Sequence, residues 1–104
     1  MEKWLILVES KCKDPGREAE FNTWYDTIHT PDILSGSPGF KSAIRYVLKD
    51  PAKDRGKYLA VYEIETSDID QTMSAHRMNL ETKYAAGRST ELLQMVSRRL
   101  CKVT

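Results

Sequence analysis

The composition is that of an ordinary globular domain. The chain has 104 residues, 40% of them apolar and 30% charged, and 16 basic residues nearly balance 15 acidic ones, leaving a net charge of +1. This length predicts one domain over residues 1–104, and the even balance of charge argues against the basic surface that nucleic-acid binding needs. Apolar runs are too short for a membrane span or a signal-peptide core, so we expect a cytoplasmic protein with neither a membrane nor a nucleic acid as partner.

The first part of the chain predicts a strand followed by a helix. Residues Lys3–Glu9 are rich in branched and aromatic side chains, which is typical of a strand. Asp14 and Pro15 then form a helix start, with an N-cap residue followed by proline at the first helical position. A step of about 100° per residue gives this helix one apolar face, made of Phe21, Trp24, Tyr25 and Ile28.

His29 lies where this helix is expected to end. It follows Tyr25 by one turn, at the edge of the apolar face, and Pro31 comes two residues later. Because proline disfavours helical conformation in the residue before it, we expect Pro31 to open a connection that runs to Gly39. A helix C-terminus favours the protonated form of a histidine, so the ring of His29 is expected to carry charge readily.

The rest of the chain predicts a hairpin, a second helix and a final strand. In order these are strand Phe40–Lys49, polar turn Asp50–Gly56, strand Lys57–Glu65, helix Asp68–Ala86 with Gly87 as its stop, and strand Leu92–Val103.

The order βαββαβ predicts a ferredoxin-like α+β fold, a four-stranded antiparallel sheet in the order 4-1-3-2 with two helices on one face. The first and third strands are apolar on both sides, although two helices can cover only one side. We therefore expect a homodimer through the open sheet face. The same topology sets Cys12 and Cys101 too far apart for a disulfide, and their spacing does not suit a metal site.

The second histidine, His76, is expected on the inward face of the second helix. Its neighbours at helical spacing are apolar or aromatic: Ile69, Met73, Leu80 and Tyr84. Together with Tyr25, Tyr46 and Tyr62 this predicts a small-molecule pocket between helices and sheet, without cofactor or metal. Histidine can transfer protons near neutral pH, and tyrosine hydroxyls can hold a substrate oxygen. The alternative for each residue is an ordinary place in the core, hydrogen-bonded in the case of a histidine.

Several segments resemble the dimeric α+β barrel superfamily, near its EthD-like branch. They are Trp24-Tyr25-xxx-His29-x-Pro31-Asp32, Pro38-Gly39-Phe40, Arg45-Tyr46 and Tyr58-Leu59-Ala60-Val61-Tyr62-Glu63. The resemblance implies two ferredoxin-like subunits packed sheet to sheet, each with its own pocket. Members include cyclases, decarboxylases, isomerases, lyases, cofactor-free oxygenases and haem-degrading monooxygenases. By match to the helix motif it implies a functional role for His29 with Tyr25, whereas His76 is a looser analogue of the histidine that binds haem iron.

We therefore expect a cofactor-independent lyase, isomerase or cyclase that acts on a small hydrophobic, oxygenated substrate of aromatic or polyketide-like type. The residues assigned to catalysis are His29 and Tyr25, and those assigned to substrate binding are His76, Tyr62, Tyr46 and Trp24. The alternative is a non-catalytic dimeric protein that binds a small molecule or assists a partner enzyme. A cofactor-free or haem-dependent monooxygenase is the third reading.

Overall fold

The structure, a computed structural model, describes residues 1–52 and 55–104. Lys53 and Asp54, in the predicted turn Asp50–Gly56, lie outside the described residues. The elements in chain order are β1 (Glu2–Cys12), a 3-10 turn (Pro15–Arg17), α1 (Glu18–Trp24), a π-helical turn (Tyr25–His29), α2 (Thr30–Gly36), β2 (Phe40–Val47), β3 (Tyr58–Thr66), α3 (Ile69–Ala85) and β4 (Leu93–Lys102).

The sheet is four-stranded and antiparallel, in the order β2-β3-β1-β4. The predicted ferredoxin-like topology and strand order are therefore confirmed. One side of the sheet packs against the helices, and the core between them is formed by the buried side chains Ile6, Val8, Phe21, Trp24, Tyr25, Ile33, Phe40, Tyr58, Ala60, Tyr62, Ile64 and Leu92.

The prediction that the first helix ends before Pro31 was wrong. Helical structure continues to Gly36, because Pro31 lies in the first turn of α2, where its missing N–H removes no essential bond. The turn before it widens instead, and the N–H of Thr30 donates to the carbonyl of Tyr25, five residues back. Such π-helical turns are often found at functional sites.

The two ends predicted for α3 are confirmed. The carboxylate of Asp68 accepts a hydrogen bond from the N–H of Gln71 at 3.1 Å, as an N-cap residue does. After the helix, Gly87 has a φ of 79°, the left-handed conformation that suits glycine past a helix end. Among the described helices, none is long and apolar enough to cross a membrane.

The side of the sheet that faces away from the helices has an apolar centre bordered by charged residues, among them Glu9, Glu63 and Arg99. Side chains alternate along a strand, so the neighbours of buried Ile6, Val8, Ala60 and Tyr62 point to this side. Two rows cross it in register, Leu7 with Val61 and Ile44, and Leu59 with Tyr46. We refer to this surface as the open face. Ile44 is 50% exposed and Tyr46 is 49% exposed.

The two cysteines lie near opposite ends of the sheet, measured along the direction of β1. Cys12 ends the strand opposite Leu93, whereas Cys101 pairs with Leu5. At about 3.3 Å per residue the seven steps from Leu5 to Cys12 amount to roughly 23 Å. This separation is the one that the topology predicts.

Candidate functional site

A cavity of about 680 Å³ lies between the sheet and the helices. Its wall is mostly apolar and carries side chains from α2, α3, β1 and β4, among them Ile6, Val8, Ile33, Met73, Leu80, Leu93 and Leu100. Four exposed charged side chains border it: Asp70, Arg77, Glu81 and Arg98. Its volume is within the usual range of small-molecule sites. The uncharged polar side chains that line it, among the described residues, are three tyrosines and the two histidines of the chain: Tyr25, Tyr62, Tyr84, His29 and His76.

His29 reaches this cavity from the π-helical turn. Its ring stacks on Trp24 with centroids 4.6 Å apart and stands edge-on to Tyr25 at 5.0 Å. Tyr84 of α3 lies parallel to the ring at a centroid distance of 6.4 Å. The side chain is only 7% exposed, yet within the described part of the chain no hydrogen bond reaches either ring nitrogen. His29 is thus a largely buried imidazole whose nitrogens have no partner among the described residues and are open to the cavity.

Burial sets the protonation state of His29. It lowers the pKa of the ring from 6.5 to about 4, and the positive charges of His76 and Arg45 lower it further while Asp32 opposes the shift. The expectation that a helix end would favour the charged ring was wrong. The helix does not end at His29, and the apolar wall penalises a buried cation more than a terminus would reward it. At neutral pH the ring is neutral.

His76 reaches the cavity from α3, as predicted. Its ring stacks on Phe40 at a centroid distance of 4.5 Å, and Nδ1 lies 2.8 Å from the hydroxyl oxygen of Ser37. The amide nitrogen of Asn79 lies 3.0 Å from the same hydroxyl oxygen. Burial, with a smaller effect from Arg98, lowers the pKa of His76 to about 4. Both histidines of the site are therefore neutral at neutral pH.

Tyr25 and Tyr62 meet at the cavity wall. Their hydroxyl oxygens are 3.4 Å apart, and both side chains are buried. Burial raises the pKa of both phenols, so both keep their protons at neutral pH. One hydroxyl can donate to the other, which leaves the second with a proton for a ligand oxygen.

Arg45 packs against the ring of Tyr25. Its guanidinium carbon lies 4.1 Å from the centre of the Tyr25 ring, and it donates hydrogen bonds to Asp26 at 3.0 Å and to Asn22 at 2.9 Å. It therefore ties β2 to both α1 and the π-helical turn. The sequence alone left its strand face open, and the structure turns it toward the helices, opposite Ala60.

Two residues assigned to substrate binding lie outside the cavity. Tyr46 lies on the open face, because it is one position along β2 from the helix-facing Arg45. Trp24 is buried behind His29, and its indole N–H donates to the carbonyl of Arg88 at 3.0 Å. The other four, Tyr25, His29, Tyr62 and His76, all line the cavity. Ser37 was not predicted as a site residue, since a serine before Pro-Gly reads simply as part of a turn.

Comparison with family models and with curated proteins finds no match. Solved structures, however, share the fold along nearly the whole chain. The cofactor-independent oxygenase SnoaB from Streptomyces nogalater is 15% identical, with a TM-score of 0.64 over 99% of this chain and 94% of its own. MhuD, whose structure holds two manganese protoporphyrin IX molecules per active site, is 19% identical, with a TM-score of 0.65 over 97% and 93%.

The EthD-like resemblance has a counterpart among these structures. An EthD family protein from Bacillus halodurans is 14% identical, with a TM-score of 0.57 over 100% of both chains. Likenesses at such low identity describe the fold, and not the reaction. The chain has the ferredoxin-like fold that these structures share, an EthD family protein among them, which is the fold that the resemblance implies.

Proposed function

We propose that this protein is a cofactor-independent enzyme that removes a proton from a small, hydrophobic, oxygenated substrate, in a lyase, isomerase or cyclase reaction. The observation that carries the proposal is His29, an imidazole that has no hydrogen-bond partner among the described residues and whose nitrogens are open to a largely apolar cavity. A histidine so placed contributes no hydrogen bond to the stability of the fold. A ligand that supplies the partner explains why such a group is kept.

The neutral state of His29 suits the role of a base. A ring with a pKa of about 4 is unprotonated at neutral pH and can accept a proton directly. It is a weak base in the empty cavity, but an anion that forms beside it stabilises the resulting imidazolium. The driving force for proton transfer therefore arises only with substrate in place.

The developing negative charge needs donors on the opposite side of the substrate. The cavity offers the Tyr25–Tyr62 hydroxyl pair and the free nitrogen of His76. Preorganised donors in a water-poor site stabilise an enolate-type oxygen far better than they would in water. The apolar remainder of the wall favours a ring-shaped hydrocarbon body, so an aromatic ketone or phenol fits the site.

The proposal can be tested with 2-tetralone, an aromatic ketone with acidic hydrogens beside its carbonyl. Deuterium from D2O replaces those hydrogens when a base removes the proton, and proton NMR follows their loss. We expect the protein to accelerate the exchange and His29→Phe to abolish the acceleration. Ser35→Ala, an exposed change in α2, is the control and should leave it intact. Exchange that is equally fast in His29→Phe would contradict the proposal.

Two alternative functions would each be indicated by a particular experimental result. If 2-tetralone binds the protein but its hydrogens do not exchange, the cavity belongs to a non-catalytic binding or accessory protein. The structural likeness to SnoaB favours a further possibility, since a cofactor-independent oxygenase can begin with the same proton removal and pass electrons from the carbanion to oxygen. Oxygen uptake that depends on His29 would distinguish that reaction.

We also propose that the protein is a homodimer through the open face. Leu7, Val61 and Ile44 form an apolar row there, and Leu59 with Tyr46 forms a second. Charged residues such as Glu63 and Arg99 border these rows, as a polar rim borders the apolar centre of an interface. A second copy, related by twofold symmetry, would cover this surface with an equivalent one.

A further inference from the structure

The hydrogen bonds around His76 determine which of its nitrogens carries the proton. The starting point is Asn79, whose side-chain nitrogen lies 3.1 Å from the main-chain carbonyl oxygen of Asp32. A carbonyl can only accept, so the atom facing it must be the NH2 of the amide. The same NH2 lies 3.0 Å from the hydroxyl oxygen of Ser37 and donates its second proton there.

Ser37 must then direct its own proton to His76. The side chain is 3% exposed, and its hydroxyl has two partners among the described residues, Asn79 and Nδ1 of His76. Because Asn79 already donates to the oxygen, the hydroxyl proton has one acceptor left, the ring nitrogen at 2.8 Å. Nδ1 is therefore an acceptor, and in a neutral imidazole the proton lies on Nε2.

Gly36 makes room for this arrangement. A β-carbon at that position would overlap the Asn79 amide, with a distance of only 2.7 Å to its Cγ. The end of α2 can thus approach α3 closely enough for the Asn79 side chain to reach both Asp32 and Ser37. The close approach of the two helices therefore holds Ser37, which follows α2, next to Asn79 in α3.

We infer that Ser37 and Asn79 are positioning residues that fix His76 with its proton on Nε2, so that this part of the cavity selects a ligand with an acceptor oxygen. His76 lines the cavity, and within the described residues Nε2 has no protein partner. The ligand preference rests on the proposed function, whereas the position of the proton does not. In an enolate-forming reaction the ketone oxygen would accept a hydrogen bond from this N–H. Negative charge develops on that oxygen as His29 takes the proton.

The position of the proton can be measured directly. Two-bond proton–nitrogen correlation spectra of 15N-labelled protein at pH 8 distinguish an imidazole nitrogen that carries hydrogen from one that does not. We expect Nδ1 of His76 to be bare and Nε2 to be protonated. A proton on Nδ1 in the unmodified protein overturns the inference, and this result needs neither activity nor a variant.

Asn79→Asp keeps the size of the side chain, gives up the bond to the Asp32 carbonyl and reverses the direction of the hydrogen bond with Ser37. A carboxylate at this position can only accept, so it would take the Ser37 proton and leave the hydroxyl oxygen to accept from His76. We expect the proton to move to Nδ1. An unchanged His76 spectrum in a folded Asn79→Asp protein would contradict the inference. Ser35→Ala, two residues from Ser37 and exposed, should leave the spectrum as it is.

The ligand preference is tested with two neutral probes of similar shape, 2-tetralone and tetralin. The unmodified protein should bind 2-tetralone about tenfold more tightly, which is the usual effect of one hydrogen bond. Asn79→Asp should reduce this preference to what the Tyr25–Tyr62 hydroxyls supply, while tetralin binding stays the same. An undiminished preference in a protein whose His76 proton has moved overturns the assignment. If the proton is as inferred and the preference present, but no deuterium exchange occurs, only the proposed enzymatic function fails.

The same proton position bears on haem. An Nε2 that carries hydrogen has no lone pair for iron, so His76 as held by Ser37 and Asn79 does not fit the role of a haem ligand. Addition of haemin should therefore give no absorption change that depends on His76. A band shift that is lost in His76→Ala would contradict the inference.

Discussion

Replacing each histidine by phenylalanine should have opposite effects on stability. No described residue bonds the nitrogens of His29, so His29→Phe keeps the stack on Trp24 and breaks no hydrogen bond within the described residues. The more apolar ring should raise the free energy of unfolding slightly, by up to about 1 kcal/mol at pH 7. His76→Phe removes the partner of the Ser37 hydroxyl and should lower it by roughly 1–3 kcal/mol. In a domain of this size, 1 kcal/mol changes the melting temperature by roughly 4–8 °C.

The effect of His29→Phe should grow as the pH falls. The folded protein holds the pKa of His29 at about 4, below the 6.5 of an unburied ring. Between these values the unfolded chain binds more protons, so the unmodified protein loses stability as the pH drops through 6.5, and the loss is complete below 4. At about 1.4 kcal/mol per pKa unit the total is roughly 3 kcal/mol, with about 2 kcal/mol lost by pH 5.

Urea unfolding at pH 7 and pH 5, at one protein concentration, measures both effects. Apart from the charge interactions of His29 with His76 and Asp32, the other titratable groups contribute equally to the unmodified protein and to His29→Phe, so most of their pH dependence cancels in the difference. We expect the advantage of His29→Phe to increase by about 2 kcal/mol between the two pH values. Parallel pH profiles, or a loss of stability in His29→Phe at pH 7, would refute the account of His29 as a buried, unpaired and neutral ring.

Three further substitutions test other parts of the structure. Ile44→Lys places a charge on the open face and should convert a dimer into monomers in sedimentation equilibrium. Met78→Lys, on the exposed side of α3, is the control and should leave the dimer intact. A dimer that persists in Ile44→Lys would contradict the proposed interface. Gly36→Ala should displace the Asn79 amide and shift the His76 nitrogen signals, and unchanged signals would show that the amide lies elsewhere. Arg45→Met should lower the free energy of unfolding by roughly 1–3 kcal/mol in urea titrations, because it breaks two hydrogen bonds to α1 and the π-helical turn, and an unchanged value would refute this role.

The fold was largely predictable because its strands and α3 are encoded locally. Alternating apolar residues and the polar turns between them predicted four strands in the observed order, and Asp68 and Gly87 marked the ends of α3. The position of His76 followed from helical spacing along α3 alone. These features depend on neighbours a few positions away in sequence.

The misplaced helix end has a different origin. Pro31 is compatible both with a helix stop and with the first turn of a new helix, and the choice depends on packing against the sheet. The π-helical turn joins α1 to α2, and no local sequence pattern predicts it. The expected charge state of His29 was wrong for the same reason, because it depended on a helix terminus that is absent at this residue.

The remaining errors come from strand register. Tyr46 and Arg45 differ by one position, and a strand of mixed polarity does not show which of them faces the helices. The structure puts Arg45 against Tyr25 and Tyr46 on the open face. Likewise, Ser37 meets His76 and Asn79 only through contacts 39 and 42 residues apart, which a turn-like serine does not reveal.

The most direct test of the central claim is the pH dependence of deuterium exchange into 2-tetralone. At low ketone concentration the rate follows the ionisation of the free protein. Since His29 is already neutral well below neutral pH, we expect the His29-dependent rate, corrected for the uncatalysed exchange, to be level between pH 6 and pH 8. A rate that rises through this range with a midpoint near 6.5 would show an ordinary, solvated histidine and would contradict the account.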